Sequence, residues 1–414
     1  MMKFKQQLMS SLLYLWNIQP VQANNFQEYY EEALLHNLQL QAQTQHLEAL
    51  QFQKEQQGYL PEPTVAVGWF MEAIETKTGP QTGKISMQQS LPWFGTRAVQ
   101  VEISQGNIDI QKQQLALLER QLRLDLHNLW SDLIIKTQQI SILQEHFNIL
   151  ESHRIMQATH VQNGHRSTID LFKIDIMQEN IQADIEILQK EIESVQLQFN
   201  LLCNAVPNRI LQIPSELHMN DAIHADRHPS IAKMDAHLEQ LTHSAHGQQL
   251  QKYPKFTVGM DVIFIDTSTT DSQMMDASMN SGNALMPMFG IQVPIYQRKY
   301  AAGVQQIQAQ IQSEQLQREA LLQQFQQQRS SLEWHIHKEE RTQQLIQSQI
   351  IKTQQSIDIL LISFANSQNT MSDILQLQQD LLNEKIQYLH SQQRHYQAQA
   401  QLQFLEGGSH ADAN

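Results

Sequence analysis

The sequence has few of the residues that interrupt helices and almost none that cross-link a chain. Its 414 residues include 14 Gly, 11 Pro and one Cys, so an internal disulfide is excluded. Gly and Pro are absent from 107–163 and from 304–406, and both segments are therefore predicted to be long helices. The first segment would extend on the order of 85 Å at about 1.5 Å per residue.

Charge is also scarce, and basic charge in particular. Charged residues make up 17% of the chain, and the formal net charge is -14. No block of Lys or Arg is present, which argues against a nucleic-acid partner because phosphate binding needs clustered basic side chains. No motif typical of an enzyme active site occurs, so neither catalysis nor a cofactor is indicated. Instead, about one residue in six is Gln, in a composition typical of extended helices.

Long apolar runs are missing as well. Outside the N-terminus, no run approaches the roughly 20 residues that a membrane-spanning helix needs. Residues 1–23 are predicted to be a secretory signal peptide, because Lys3 and Lys5 precede an apolar stretch and Val21-Gln22-Ala23 is a small-x-small cleavage site. The alternative is a frayed helix start. No Cys stands directly after the site to carry a lipid anchor. Because no long apolar run is found elsewhere, an exported chain would cross a membrane only with strands.

What is present is a tandem repeat of helix, β-hairpin, long helix and returning helix. Pro254-Lys-Phe-Thr-Val-Gly259 follows Pro63-Thr-Val-Ala-Val-Gly68 at an offset of 191 residues. The first repeat is predicted over 24–206, with a helix at 25–57, a hairpin at about 63–91 and a helix pair at 96–203. After a linker at 207–220, the second repeat is predicted over 221–406, with a hairpin at about 254–295, a helix pair at 297–405 and a disordered tail at 407–414.

The hairpin sequences predict strands with one apolar and one polar face. Ile85, Met87 and Leu91 alternate with polar residues, and the third and fourth strands show apolar residues at the same period of two. Four such strands cannot close a barrel, and open strand edges are not tolerated in hydrocarbon. We therefore expect a homo-oligomeric barrel with lipid outside and water inside. The alternative is a soluble sheet packed on the helices.

The joint between the second strand and the long helix carries a family resemblance. It reads Gln89-Ser-Leu-Pro92-Trp93-Phe94-Gly95, and Pro294 is its counterpart in the second repeat. Together with Asn163-Gly164-x5-Asp170-Leu171 and Phe364-x2-Ser367-x5-Asp373-Ile374, this joint resembles the signatures of the TolC-like outer membrane efflux proteins. The resemblance covers nearly the whole mature chain and both repeats.

That resemblance implies a mainly α fold with a membrane β part. Long antiparallel coiled-coil helices would form an α-barrel that extends into the periplasm, and four strands per chain would contribute to a twelve-stranded β-barrel in a homotrimer. The protein would be a passive exit duct in the lipid of the outer membrane, working with a periplasmic adaptor (membrane fusion protein) and an inner-membrane RND pump. Asp170 and Asp373 would lie at the periplasmic entrance as gate residues; the alternative role for both is helix N-capping.

The second hairpin loop suggests a substrate. It is rich in thioether side chains, and thioether sulfur suits soft cations such as Cu(I) or Ag(I). The candidate metal-binding residues are Met274, Met275, Met279, Met286 and Met288. This loop and the sequence after it resemble the heavy-metal branch of the family, the outer components of copper/silver or cobalt/zinc/cadmium pumps.

Several alternatives stay open from the sequence. The methionines could simply fill apolar space. The same fold could export drugs or other organic compounds, or serve type I secretion. A soluble periplasmic coiled-coil adaptor is the alternative of another class. Glu239, His243 and His246 share one helix face, but a solvated polar face explains them better than a metal site.

Overall fold

The computed structural model describes residues 26–76, 79–162, 168–217, 228–266, 283–365 and 370–406. The predicted signal peptide at 1–23, the tail at 407–414 and the turns at 163–167 and 366–369 lie outside these residues. The described elements, in chain order, are α1 (Phe26–His36), α2 (Leu38–Gln57), β1 (Thr64–Ile74), β2 (Gln81–Leu91), α3 (Thr96–Gln162), α4 (Ile169–Leu202), α5 (Pro229–Leu250), β3 (Lys255–Ile265), β4 (Ala284–Gln292), α6 (Gln297–Ala365) and α7 (Met371–Glu406). None of these helices is long and apolar enough to span a membrane.

The four strands form one antiparallel sheet in the order β1-β2-β3-β4. The hairpin of the first repeat therefore pairs side by side with the hairpin of the second, through β2 and β3. Among the described residues, no strand pairs with the outer edge of β1 or of β4. Pro287 lies in β4, and an edge strand is where a residue without an N–H group is tolerated.

The strand register separates the sheet into an apolar and a polar face. Val65 pairs with Met87, Met87 with Met260, and Met260 with Pro287 across the strands. One face of the sheet is therefore apolar across all four strands. This apolar face is uncovered in the described chain: Val67 is 71% exposed, Trp69 82% and Phe289 84%. The residues at alternate positions form the polar face, which includes Lys84, Ser86, Gln88, Thr257 and Asp261.

The helix predicted over 25–57 is divided in the structure. Asn37 separates α1 from α2 and caps α2, because its Oδ1 accepts hydrogen bonds from the N–H groups of Gln39, at 3.0 Å, and Leu40, at 3.2 Å. Its Nδ2 donates to the carbonyl of Leu202 at 2.9 Å. The prediction of one continuous helix was wrong because the apolar spacing continues through a side chain that binds the backbone.

The corresponding position in the second repeat, His228, does the same for α5. Its Nδ1 accepts a hydrogen bond from the N–H of Ser230 at 3.1 Å. Pro229 follows as the first helical residue, where its missing N–H costs nothing. At the same position, both repeats thus place a polar side chain that accepts a hydrogen bond from the first turn of the helix that follows.

The chain divides into two compact units, and each contains segments of both repeats. One unit comprises Met1–Gln41, Glu119–Asp226 and Gln327–Asn414, and the other comprises Ala42–Leu118 and Arg227–Gln326. The core of the first unit is a cluster from α3, α4, α6 and α7. Its fully buried members include Leu150, Ile174, Met371 and Ile374. The second unit contains the sheet and the helix segments next to it.

Candidate functional site

The joint between β2 and α3 has the backbone that its sequence requires. Gly95 adopts φ +82°, a conformation that residues with a side chain rarely adopt, and α3 begins directly after it. Pro92 ends the strand because it cannot donate to the ladder. Trp93 stacks on Tyr253, with ring centroids 4.9 Å apart, while Phe94 is 82% exposed. The joint therefore places one aromatic ring against the protein and one toward its surroundings.

The joint between β4 and α6 is the second-repeat counterpart. The Pro294 carbonyl accepts a hydrogen bond from Nε2 of Gln297, the first residue of α6, at 2.8 Å. Ile295 and Tyr296 between them are exposed. Both joints thus present large apolar side chains at the point where strand becomes helix, as expected at a membrane–water interface.

Asp373 lies at the start of α7 and forms a reciprocal cap with Thr370. Its Oδ2 accepts hydrogen bonds from the Thr370 N–H at 3.1 Å and hydroxyl at 2.7 Å, and its own N–H donates to the Thr370 Oγ1 at 3.4 Å. The hydrogen bonds from the Thr370 side chain and backbone hold the pKa of Asp373 below its usual range. The carboxylate is exposed and charged, so capping leaves its charge available at the surface.

Asp170 lies in the first turn of α4, after the N-cap position, which Thr168 occupies. Its Oδ1 is 3.8 Å from Nζ of Lys173, and the same ammonium group donates to Oγ of Ser372 at 2.9 Å. Ser372 directly precedes Asp373. The structure therefore brings the two predicted gate residues to the same end of the first unit, with one lysine bridging the starts of α4 and α7.

Of the candidate metal residues, Met286 and Met288 are described, whereas Met274, Met275 and Met279 lie outside the described residues. Met286 pairs with Asp261 across β3 and β4, and Met288 pairs with Gly259. Both thioethers therefore belong to the polar face of the sheet. The sequence analysis did not assign these two methionines to either face of the sheet.

Asp261 stands beside these methionines on the polar face. It is fully buried, and its Oδ2 is 3.3 Å from Nζ of Lys84, which is half-exposed. Its Oδ1 has no hydrogen-bond partner. In the part of the chain that the structure describes, no group of three or more His, Cys, Asp or Glu side chains is placed to hold a metal ion. His243 instead lies 3.0 Å from Glu102.

Sequence reasoning missed two buried polar groups in the first unit. Glu339 of α6 is bound by Arg394 and Ser391 of α7, a pairing that depends on how two helices align. His146 and His153 of α3 are buried, and Nε2 of each lacks a hydrogen-bond partner. The sequence does contain a pattern that indicates burial of the histidines. His146 and His153 alternate with Leu143 and Leu150 at spacings of three and four residues, which are the core positions of a heptad repeat.

Burial of these two imidazoles has an electrostatic consequence. Desolvation lowers the pKa of His146 to about 4, with smaller effects in the same direction from Lys385 and His153 and an opposing one from Glu145. Desolvation also lowers the pKa of His153. Both side chains are therefore neutral at pH 7.

Comparisons with known proteins bear on the fold. No protein-family model matches the sequence, and no relative is found among curated proteins. Solved structures that are similar over almost the whole chain include the following three. The outer-membrane channel OprN has a TM-score of 0.76 at 14% identity, covering 92% of this chain and 90% of that one. A structure of CusC, studied for transmembrane channel formation, has a TM-score of 0.76 at 13% identity, and the match covers 93% of each chain.

The third is the outer membrane protein VceC from Vibrio cholerae, with a TM-score of 0.73 at 14% identity, covering 92% of this chain and 96% of that one. At these identities, the likeness concerns the fold. It confirms the predicted fold class, mainly helical with four strands in the manner of TolC-like channels.

Proposed function

We propose that this protein is the outer-membrane exit duct of a tripartite efflux system and conducts substrate passively to the exterior. The observation that carries the proposal is the uncovered apolar face of a sheet whose two edge strands are open. Hydrocarbon would cover that face at a gain of about 25 cal/mol per Å² of apolar surface. The likeness of the fold to outer-membrane channels supports the same conclusion.

The sheet geometry favours closure with other copies of the chain. Strands β1 to β3 have 11 residues each and β4 has 9, which suits tilted strands crossing a bilayer. Because β1 and β4 run in opposite directions, β4 of one copy can pair antiparallel with β1 of the next. Three copies would give the twelve strands of the proposed homotrimer, with the polar face toward water.

The predicted partners belong to this proposal: a periplasmic adaptor and an inner-membrane RND pump, which would supply the energy. Asp170 and Asp373 would present six carboxylates at the entrance of a trimer, and a ring of negative charge favours cations. Capping of α7 by Asp373 is compatible with this role because the carboxylate keeps its charge.

For the substrate, we propose heavy-metal cations such as copper or silver. Met286 and Met288 support this choice, since their register positions put soft sulfur ligands on the polar face, the face proposed to meet water. Organic compounds are the second candidate substrate for a duct of this fold.

Single-channel recording in planar lipid bilayers tests the duct. The purified full chain is expected to insert as a trimer and to give stable, cation-preferring conductance steps. A protein that remains monomeric and produces no conductance would contradict the proposal and favour the soluble adaptor alternative.

Cells lacking the protein test the substrate. They are expected to become sensitive to copper and silver salts, and the double variant M286L/M288L is expected to restore tolerance only in part. The double variant M87L/M260L on the apolar face is the matched control and should restore it fully. Unchanged metal tolerance together with new sensitivity to organic compounds would replace the metal proposal and leave the duct proposal intact.

A further inference from the structure

A cavity of about 630 Å³ lies on the apolar face of the sheet, at the end where strands pass into helices. Leu91, Phe256, Phe289 and Ile291 supply its wall from three adjacent strands. Trp93 and Phe94 of the joint close the end toward α3. Its size falls within the roughly 300–1,000 Å³ typical of small-molecule sites.

The cavity has one charged group at its edge. Of the described residues that line it, Arg97 alone is charged, and it is exposed in the first turn of α3. Its Nη1 donates to the carbonyl O of Gly58 at 3.2 Å, which fixes the guanidinium beside the cavity. A guanidinium carries five N–H donors, so the others are available to an anion. The positive end of the helix dipole adds to the attraction.

An apolar cavity with a single cation at its mouth matches an amphipathic anion. We propose that this cavity binds one acyl chain of an anionic glycerophospholipid, with the lipid phosphate on Arg97. The proposal rests on the proposed insertion of the sheet into the outer membrane and goes beyond it by assigning a specific lipid site.

Geometry places that lipid in one leaflet. The cavity adjoins the first turn of α3, and in the proposed duct the helices leave the membrane on the periplasmic side. The site therefore faces the inner leaflet of the outer membrane. Arginine binds phosphate through paired N–H donors, which gives preference for an accessible anionic headgroup over a zwitterionic one whose own cation competes for the phosphate.

Two substitutions separate the headgroup contact from the acyl-chain contact. Arg97→Gln removes the charge and keeps a polar side chain of similar reach. Ala98→Trp fills the cavity from an exposed position on α3. Their matched controls are Arg341→Gln, an exposed arginine of α6, and Gln100→Trp, an exposed position of α3 that does not line the cavity.

Native mass spectrometry of the delipidated full chain in detergent, titrated with phosphatidylglycerol or phosphatidylcholine of the same acyl chains, provides the test. R97Q is expected to weaken phosphatidylglycerol binding about tenfold and to change phosphatidylcholine binding little. A98W is expected to weaken binding of both lipids. The controls R341Q and Q100W should bind both lipids like the parent protein.

Equal lipid binding by R97Q and R341Q, or by A98W and Q100W, would overturn the proposal. R97Q leaves the apolar wall intact, so it tests the site even if A98W does not fold. Planar-bilayer conductance of the parent protein separates this result from the duct itself. If the parent protein conducts but the variants bind lipid like their controls, only the lipid-site proposal is contradicted. If the parent protein does not conduct, the duct proposal is contradicted, and the lipid-site proposal that rests on it fails as well.

Discussion

Arg394 of α7 binds Glu339 of α6 through two hydrogen bonds, from Nε to Oε1 at 3.0 Å and from Nη2 to Oε2 at 2.9 Å. The Glu339 side chain is 3% exposed and also accepts a hydrogen bond from the Ser391 hydroxyl at 2.7 Å. Burial opposes ionisation of Glu339, but hydrogen bonds from Arg394 and Ser391 outweigh it, and its pKa lies below its usual range. Glu339 is therefore a buried carboxylate that depends on its partners.

Arg394→Met is predicted to destabilise the protein by about 2 kcal/mol. It leaves the buried, charged Glu339 without its arginine, and the cost is below that usual for a broken buried ion pair because Arg394 is half-exposed. Thermal unfolding followed by circular dichroism measures the effect. The double variant E339Q/R394M should recover most of the loss, and R341M, at an exposed position, should cost little. Equal losses for R394M and R341M would contradict the prediction.

His146 is predicted to make the protein less stable in acid. Its pKa of about 4 in the fold lies below the usual value of about 6.5, so the unfolded chain binds the extra proton between these pH values. Stability therefore falls as pH drops through this window, by up to about 3 kcal/mol in total. His153 acts in the same direction.

Urea unfolding at pH 7.5, 6, 5 and 4 measures this dependence. His146→Leu should flatten the loss of stability with falling pH, because no buried base remains to be protonated at that position. His337→Leu is the control, since His337 is 81% exposed and should leave the slope unchanged. An unchanged slope in H146L would contradict the assignment.

A charge is predicted to impair membrane insertion on the apolar face of β1 but not on its polar face. Val67→Lys puts an ammonium group on the apolar face and should cost about 2–4 kcal/mol of membrane insertion near the bilayer centre. Ala66→Lys puts the same group on the polar face and should insert normally. The fraction of protein protected from protease in lipid vesicles gives the comparison, and equal protection of both variants would mean that the apolar face does not meet lipid.

Asp373 is predicted to contribute charge to the conducting entrance as well as capping α7. Asp373→Asn and Thr370→Ala both remove hydrogen bonds of the cap, so both should lower the melting temperature. Only D373N removes the carboxylate and should reduce cation selectivity, measured as reversal potential in a salt gradient. If the two variants have the same selectivity, Asp373 is a cap without a gating role.

Much of the fold could be predicted from the sequence because its signals are local. The alternation of Ile85, Met87 and Leu91 is a property of neighbouring residues, and the register places these side chains on the apolar face as expected. The joint was predictable for the same reason, since Pro92 and Gly95 act on the backbone at their own positions. The long helices follow from the absence of Gly and Pro over many turns.

The remaining features depend on distant residues. Glu339 and Arg394 lie 55 residues apart in sequence, and no periodicity shows that they meet. Lys173 and Ser372, 199 residues apart, are equally hidden until α4 and α7 are placed together. The break at Asn37 was missed for another reason. The spacing of apolar residues carries no information about a polar side chain that hydrogen-bonds to the backbone and divides the helix.

Asn37 and His228 also show how the duplicated halves of the chain have diverged in chemistry. The amide oxygen of Asn37 accepts hydrogen bonds at any physiological pH. At His228 the acceptor is the Nδ1 lone pair of an imidazole, which accepts from the N–H of Ser230. The duplicated architecture therefore keeps a side-chain acceptor at both helix starts but builds one from an amide and the other from an aromatic ring.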